Sequence, residues 1–453
     1  MSKRALAVVA GLAAVVLAVV AILLLRDTGS SDTVLGSTTT SPATTSSTAT
    51  TSTTSTPVTP PPPGFVGVDG TRFVLDGATY RFVGANLWQG MNLGIEGDDG
   101  DRARLDVELD RLQDLGVTNL RVMASSEGPD TEPFRMVPAL LVAPGEYNEA
   151  VFDGLDYLLA ELAERDMRAV MVLGNFWYWS GGMAQYVSWN DGSEIPYPGD
   201  WSRFVTYSAG FYTCTDCQSW YRDHITAVVE RVNSYTGLAY RDDPTVFSWE
   251  LANEPQHYPS AWIDDTATFI KSLDPNHLVT VGTEGSAPGA MQAFVETHDG
   301  RDVDYATIHI WPQNWGWYSP ARPEDYEKAE SKALNYFDWH VAAAEELGIP
   351  LVLEEFGLAR DDEPPGDIYD PASPTTYRDR FYRAMYEAVY ASASSGGPVA
   401  GDNFWAWGGE ARPPSAWTGD PPHETPGWYS VYDTDESTLT IIAAHAAEMA
   451  APE

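Results

Sequence analysis

The sequence predicts an α/β chain that closes into one (β/α)8 TIM barrel, and three observations point there. Strand-like apolar runs recur between Phe82 and Trp407, with amphipathic helical patterns between them. Two of those runs end in acids where the apolar pattern stops. One is Trp249-Glu250-Leu251-Ala252-Asn253-Glu254-Pro255, and the other is Leu351-Val352-Leu353-Glu354-Glu355-Phe356-Gly357. The C-terminal ends of the strands are where such a barrel carries its chemistry. At 453 residues, 43% of them hydrophobic and 16 of them Trp, the chain can build one large core.

The ends of the chain set the domain boundaries. Lys3 and Arg4 precede an apolar run from Ala5 to Leu25 that stops at Arg26. A secretory core is usually about 7 to 15 residues and a bilayer span about 20, so residues 1–26 read as either a signal peptide or a membrane anchor. The basic flank would stay inside, which leaves the remainder outside the cell, secreted or tethered to the outer face of the membrane. Residues 27–64 are mostly Ser and Thr and close on the run Pro60 to Pro63, a composition expected to remain a disordered linker. The catalytic domain is therefore expected over 65–453.

Composition also excludes partners. The net charge is −39, from 65 acidic and 26 basic residues, and the acidity lies beyond the linker. Such a body disfavours nucleic acid and anionic membrane surfaces, whereas a neutral polymer is not repelled. Membrane contact is expected only through the N-terminal segment, and the chain is expected to be monomeric. Cys214 and Cys217, the two cysteines, form C-x-x-C and read as a local disulfide in an oxidising compartment. No H-E-x-x-H or calcium-loop pattern occurs, so no metal and no cofactor is predicted.

Taken in order, Phe65 to Phe82 alternates apolar residues around Asp69-Gly70 and Asp76-Gly77, which predicts a β-hairpin plugging the barrel floor. Strands are then expected near Phe82 to Asn86, Val117 to Met123, Arg168 to Leu173, Val246 to Leu251, Leu278 to Val281, Tyr305 to Ile310, Leu351 to Glu355 and Asp402 to Trp407. Leu105, Leu109 and Leu112, and Val151, Leu155, Leu158, Leu159 and Leu162, mark the first two helices. Later helices are expected near Trp220 to Tyr235, Ala261 to Leu273, Ala290 to His298, Tyr326 to Leu347, Tyr377 to Ser394 and Thr438 to Met449.

A pair of carboxylates facing each other across a barrel is the equipment for hydrolysing a glycosidic bond. One protonates the leaving oxygen, and the other, about 5 to 5.5 Å away, attacks the sugar. Glu254 and one of Glu354 or Glu355 form such a pair. Side chains alternate along a strand, so one of the two adjacent acids is expected to face the site and the other to point away. Parity alone does not choose between them.

Trp249 to Pro255, Leu353 to Gly357, Gly84-Ala85-Asn86-Leu87-Trp88 and Asn403-Phe404-Trp405 resemble glycoside hydrolase family 5. Asn175-Phe176-Trp177-Tyr178-Trp179-Ser180-Gly181-Gly182, His309-Ile310-Trp311-Pro312 and Trp407-Gly408-Gly409-Glu410 narrow the resemblance to its β-mannanases. The resemblance implies a retaining endo-β-1,4-mannanase acting on mannan, glucomannan or galactomannan. It makes Glu254 the acid/base and Glu355 the nucleophile, with Glu354 behind or outward. Arg121 would hold Glu355 ionised, Asn253 would bond the 2-hydroxyl, and His309 would sit beside the acid/base or the sugar. Trp405 would be the platform under the sugar at the cleavage point, and Trp88, Asn175, Trp177 and Trp311 would bind further substrate. Many family members have Tyr where this sequence has Trp311, so a hydroxyl contact to the nucleophile is not expected from that position. The alternatives are another β-glycanase such as an endoglucanase, an exo-β-mannosidase, or a carbohydrate-binding barrel without catalysis.

Overall fold

Eight parallel strands form the wall of the barrel in this computed structural model, which describes residues 61–197, 201–287, 289–362, 368–413 and 417–451. The expected export segment, 1–26, and the expected linker up to residue 60 lie outside the described residues. The wall strands are β4 (Phe82–Asn86), β5 (Asn119–Met123), β8 (Arg168–Val172), β9 (Val246–Glu250), β10 (Leu278–Thr280), β11 (Ala306–Ile310), β12 (Leu351–Phe356) and β13 (Val399–Phe404). Their order is β10-β9-β8-β5-β4-β13-β12-β11. The seam between β10 and β11 is bridged by Asp304 N–H donating to the Val279 carbonyl at 2.8 Å and His309 N–H donating to the Glu284 carbonyl at 3.0 Å.

The floor forms because the first strands carry one large apolar residue inward. Strands β1 (Val66–Asp69), β2 (Arg72–Leu75) and β3 (Ala78–Tyr80) make an antiparallel meander. Phe73 of β2 is fully buried, and its ring meets Phe247 at 5.1 Å and Tyr305 at 5.3 Å, both edge-on. Those two rings are the lowest inward residues of β9 and their neighbour before β11. With Phe82, Val170, Val352 and Ala400 they seal the barrel below the site.

The longer helices around the wall run over Arg102–Asp114, Glu149–Glu164, Thr215–Val229, Ser260–Leu273, Met291–His298, Tyr326–Leu347, Thr376–Ser394 and Glu436–Met449, with Gly90–Leu93, Gly182–Asp191 and Trp201–Ser208 in the loops above the strands. Two expectations need correction. The last wall strand begins at Val399 rather than Asp402, because Gly401 reads as a turn signal but is there to let the strand pass the Phe82 ring, which a Cβ would meet at 2.5 Å. The helix expected from Trp220 starts at Thr215, because the Cys214 sulfur caps it by accepting from Cys217 N–H at 3.1 Å. Cys214 and Cys217 are joined as a disulfide in that first turn.

The loops above the strands are long and internally braced. A hairpin of β6 (Leu141–Ala143) and β7 (Glu146–Tyr147) follows β5. After β13, short strands β14 (Trp407–Gly409) and β15 (Val431–Tyr432) pair with each other. Trp407 is buried with its indole N–H on Glu108 at 2.9 Å, and Gly409, at φ 54°, is a glycine because a Cβ would strike that same carboxylate. The Trp407 to Glu410 motif is thus anchored to a helix rather than lining the groove.

Candidate active site

The carboxylates meet around one buried guanidinium. Arg121 is in β5, 3% exposed, and its fork spans the barrel mouth. Nε and Nη2 donate to Glu250 of β9 at 2.7 and 2.6 Å, and Nη2 also donates to Asn253 at 2.8 Å. Nη1 donates to Asn86 at 3.2 Å and makes a short bond to Glu355. Charge-assisted bonds of this kind fix geometry as well as energy.

Glu254 is held from two other sides. Its Oε2 accepts the Trp177 indole N–H at 2.5 Å, and its Oε1 lies 2.8 Å from His309 Nδ1. The backbone at Glu254 has φ 47°, a left-handed conformation that costs a non-glycine residue about 1–3 kcal/mol and concentrates at functional positions. His309 also lies 3.3 Å from Glu355 and 3.4 Å from Glu354. Donor atoms of Glu254, His309 and Glu355 all fall within 4.8 Å of one another. A metal ion could use that spacing, but His309 already lies against both carboxylates and Arg121 against Glu355.

The expectation that Glu354 points away needs correction. Between β11 and β12 the pairing steps from Ile308 opposite Leu353 to His309 opposite Glu355, so Glu354 is an extra residue in the ladder. A bulge of this kind re-aims a side chain. Both neighbouring acids therefore reach His309 and Arg121, Glu354 from a fully buried position.

Burial dominates the titration of these groups and charge pairing redirects it. Burial pushes Glu355 up to about 7 even though His309 and Arg121 pull the other way. It raises Glu250 to about 7 against Arg121 in the same manner. Burial would depress the His309 imidazolium, but Glu355, Glu254 and Glu354 together lift it to about 10. Burial also acts to raise Glu254, and the His309 and Trp177 hydrogen bonds outweigh it and hold Glu254 below the usual carboxylate range. The lowered Glu254 and the raised His309 thus place the proton of their hydrogen bond on the imidazole.

The other anticipated residues are buried and packed on one another. Trp405 and Trp311 meet edge-on at 5.9 Å, and Trp311 also packs on Tyr429 at 4.8 Å. Trp88 is buried, with its N–H on the Gly419 carbonyl at 2.9 Å and its ring edge-on to Trp179 and Trp417. Asn175 is fully buried, donating to Ser180 and accepting from Trp177 N–H and from Asn253. These two hold loops and Asn253 in place.

Several site residues escaped the sequence reading. Glu250, a charge inside an apolar strand, was a legible signal, and Gly282 is needed beside it because a Cβ there would meet its carboxylate at 2.2 Å. Glu284 accepts Gln256 Nε2 at 3.1 Å, and burial and the nearby Glu254 push it up to about 7. His423 and Glu424 arrive from the loop after β14, and nothing local in the sequence marks them.

Comparison with known proteins places this geometry. Residues 63–453 match the family model described as GH family 5 beta-mannosidase-like. The chain belongs to glycoside hydrolase family 5. It is 34% identical over 368 residues, 76% of this chain and 73% of the relative, to mannan endo-1,4-beta-mannosidase 4 of Oryza sativa subsp. japonica. Among solved structures it is similar to a family 5 mannosidase from Rhizomucor miehei, with 43% identity and a TM-score of 0.81 over 85% of this chain and 97% of that one. A mutant of that mannosidase is known in complex with mannosyl-fructose. The endo-1,4-beta-mannanase from Rhizomucor miehei aligns at 25% identity and a TM-score of 0.62, over 85% of this chain and 99% of that one. This family 5 chain is a glycoside hydrolase with a TIM-barrel catalytic domain.

His309 lowers both Glu254 and Glu355, so removing its charge must raise both. Hydrolysis by two carboxylates requires one of them ionised. In His309→Gln the acid limb of the kcat/KM profile against pH is expected to move to higher pH. An unchanged limb, or one displaced to lower pH, would show that the imidazolium does not set these carboxylates.

Proposed function

We propose that the chain is a retaining endo-β-1,4-mannanase that cleaves internal bonds of mannan, glucomannan or galactomannan. The observation that carries the proposal is the oxygen spacing of Glu254 and Glu355, within 4.8 Å, at the ends of β9 and β12 of a family 5 barrel. Retaining enzymes keep their carboxyl groups about 5 to 5.5 Å apart, and inverting ones hold them about 6.5 to 9.5 Å apart to admit a water.

In this reading Glu355 attacks the anomeric carbon as Glu254 gives its proton to the departing oxygen. The glycosidic C–O bond breaks and a glycosyl ester forms on Glu355. Water then attacks that ester, giving its proton to Glu254 and restoring Glu355. Arg121 stabilises the Glu355 carboxylate as it leaves, His309 holds the Glu254 carboxyl in place by its hydrogen bond, and Asn253, fixed by Arg121 and Asn175, turns an amide edge to the sugar. Trp405 and Trp311 supply apolar faces for the pyranose rings.

The choice of mannan draws support from the names of the rice relative and the Rhizomucor miehei structures. A second reading, an exo-β-mannosidase, is favoured by the mannosidase that aligns at 43% identity. We also infer that residues 1–26 direct or anchor the enzyme outside the cell, supported by the basic flank, the apolar run and the Ser/Thr/Pro linker that follows.

Product analysis separates the readings. Linear mannan and mannohexaose are expected to give mannobiose and mannotriose, with little action on carboxymethylcellulose or xylan. Mannose released alone from chain ends would make it an exo-mannosidase, and preferential cleavage of the cellulosic polymer would make it an endoglucanase.

The roles of the acids are tested by Glu254→Gln and Glu355→Gln. The first is expected to lose about 10²–10⁴-fold on polymer while sparing activated aryl glycosides, because a good leaving group needs no proton. The second is expected to lose both. An active Glu355→Gln beside a dead Glu354→Gln would reverse the assignment of the nucleophile.

Cell fractionation with N-terminal sequencing addresses export. The enzyme is expected outside the cytoplasm, either in the medium with its N-terminus trimmed or on the membrane with it intact. A full-length soluble cytoplasmic enzyme would overturn export.

A further inference from the structure

Glu354 is a buried acid for which the two-carboxylate mechanism has no use. The ladder step between β11 and β12 makes it the extra residue of its strand and brings it to His309. Its side chain is fully buried, with Oε2 3.4 Å from His309 Nε2 and 3.7 Å from Arg121 Nε, and Oε1 has no hydrogen-bond partner among the described residues. Arg121 does not require it. That Nε already donates to Glu250 at 2.7 Å, and the rest of the guanidinium is taken by Glu250, Asn253, Asn86 and Glu355. Leaving a buried carboxylate oxygen unpaired lowers stability, so the fold alone gives no reason to keep an acid here.

The imidazole of His309 meets acids at both of its nitrogens. Nδ1 lies 2.8 Å from Glu254 and 3.3 Å from Glu355, and Nε2 faces Glu354. A carboxylate only accepts, so an imidazole satisfied at both nitrogens carries a proton on each and is a cation. With a single proton it would turn a lone pair on one of these oxygens. The remaining charged groups around the ring are Glu250 of β9, Glu284 of the loop after β10, and Arg121 of β5, which shares Glu354 and Glu355 with it. Among the described residues, Glu354 is the acid that faces Nε2.

We propose that Glu354 is a positioning residue that holds His309 in its doubly protonated form, with Nδ1–H directed at Glu254 and Glu355, and so bounds the enzyme's activity on the alkaline side. The proposal rests on the two-carboxylate reading above and gives a task to the acid that this reading leaves idle. Electrostatics agree with the geometry. Burial acts to lower His309, and Glu355, Glu254 and Glu354 together raise it to about 10. The proton of the Glu254–His309 pair thus rests on the imidazole, and general-acid hydrolysis stops once the pair has lost it. Taking away one of the acids that stabilise the imidazolium must bring that loss to lower pH.

Two measurements on the full chain test this. Ring-15N histidine labelling reports both nitrogens of His309, whose signals are the ones missing from His309→Gln. In the wild type both nitrogens are expected to stay protonated through neutral pH and to titrate well above the ordinary imidazole value of about 6.5. Glu354→Gln is expected to lower that titration by about 1 to 3 pH units, the effect of losing an opposite charge within about 4–6 Å. The alkaline limb of kcat/KM on mannohexaose is expected to move down with it, and Glu354→Asp, which keeps the charge one methylene further off, to fall between. If Glu354→Gln does not fold, the wild-type titration and Glu354→Asp carry the test. A wild-type His309 that titrates near the ordinary value overturns the proposal. So does a Glu354→Gln that leaves the His309 titration in place, moves it without moving the limb, or lowers kcat/KM equally at every pH as a purely structural acid would. The titration is read without substrate, so a wild type inactive on every β-mannoside would refute the mannan reading and leave the result for Glu354 standing.

Discussion

Everything at the barrel mouth depends on the Arg121 guanidinium. It is one cation that bonds Glu250, Glu355, Asn253 and Asn86, and so ties β5 to β4, β9 and β12. Buried charges are tolerated when paired and hydrogen-bonded on every side, and removing one partner from such a set typically costs about 3–5 kcal/mol. Asn86 extends the frame by donating to the carbonyls of Glu354, Asn403 and Phe404. The strand ends are thereby held in register at the place where misplacement by an ångström would matter most.

Arg121 alone does not balance the local charge. Glu250, Glu354 and Glu355 converge on it with Glu254 nearby, and His309 supplies the second cation because Glu355, Glu254 and Glu354 stabilise its imidazolium. This divides the carboxylates by environment. Glu355 is bonded by the fixed charge of Arg121, whereas Glu254 is bonded by a group that can itself surrender a proton. Two carboxyl groups of the same chemical kind thus titrate apart, Glu355 raised by burial to about 7 and Glu254 held below the usual range by His309 and Trp177.

The aromatic walls follow from the same frame. Trp177 donates to Glu254, Trp311 and Trp405 meet beside the acids, and Trp179 carries contact across to His423. These rings come from the loops after β8, β11, β13 and β14, so the groove is shaped by parts of the chain far apart in sequence and braced at their bases by buried acids such as Glu108 and Asp420.

Periodicity by itself determined the barrel, because alternating strand and helix patterns with apolar faces have few other ways to bury those faces. Strand-end acids such as Glu254 and Glu355 were legible for the same reason, since a charge that ends an apolar strand must lie at the barrel mouth. Only the tertiary structure decided what those acids touch. The ladder irregularity that brings Glu354 inward depends on pairing between β11 and β12, which no single strand encodes. Trp88 was expected to bind substrate but is a buried brace, because its partner, the Gly419 carbonyl, lies 331 residues away along the chain. His423 reaches the Tyr178 and Trp179 rings through a loop fold set by Asp420, and hydrogen bonds between a side chain and nearby backbone of such a loop leave no period in a sequence to read.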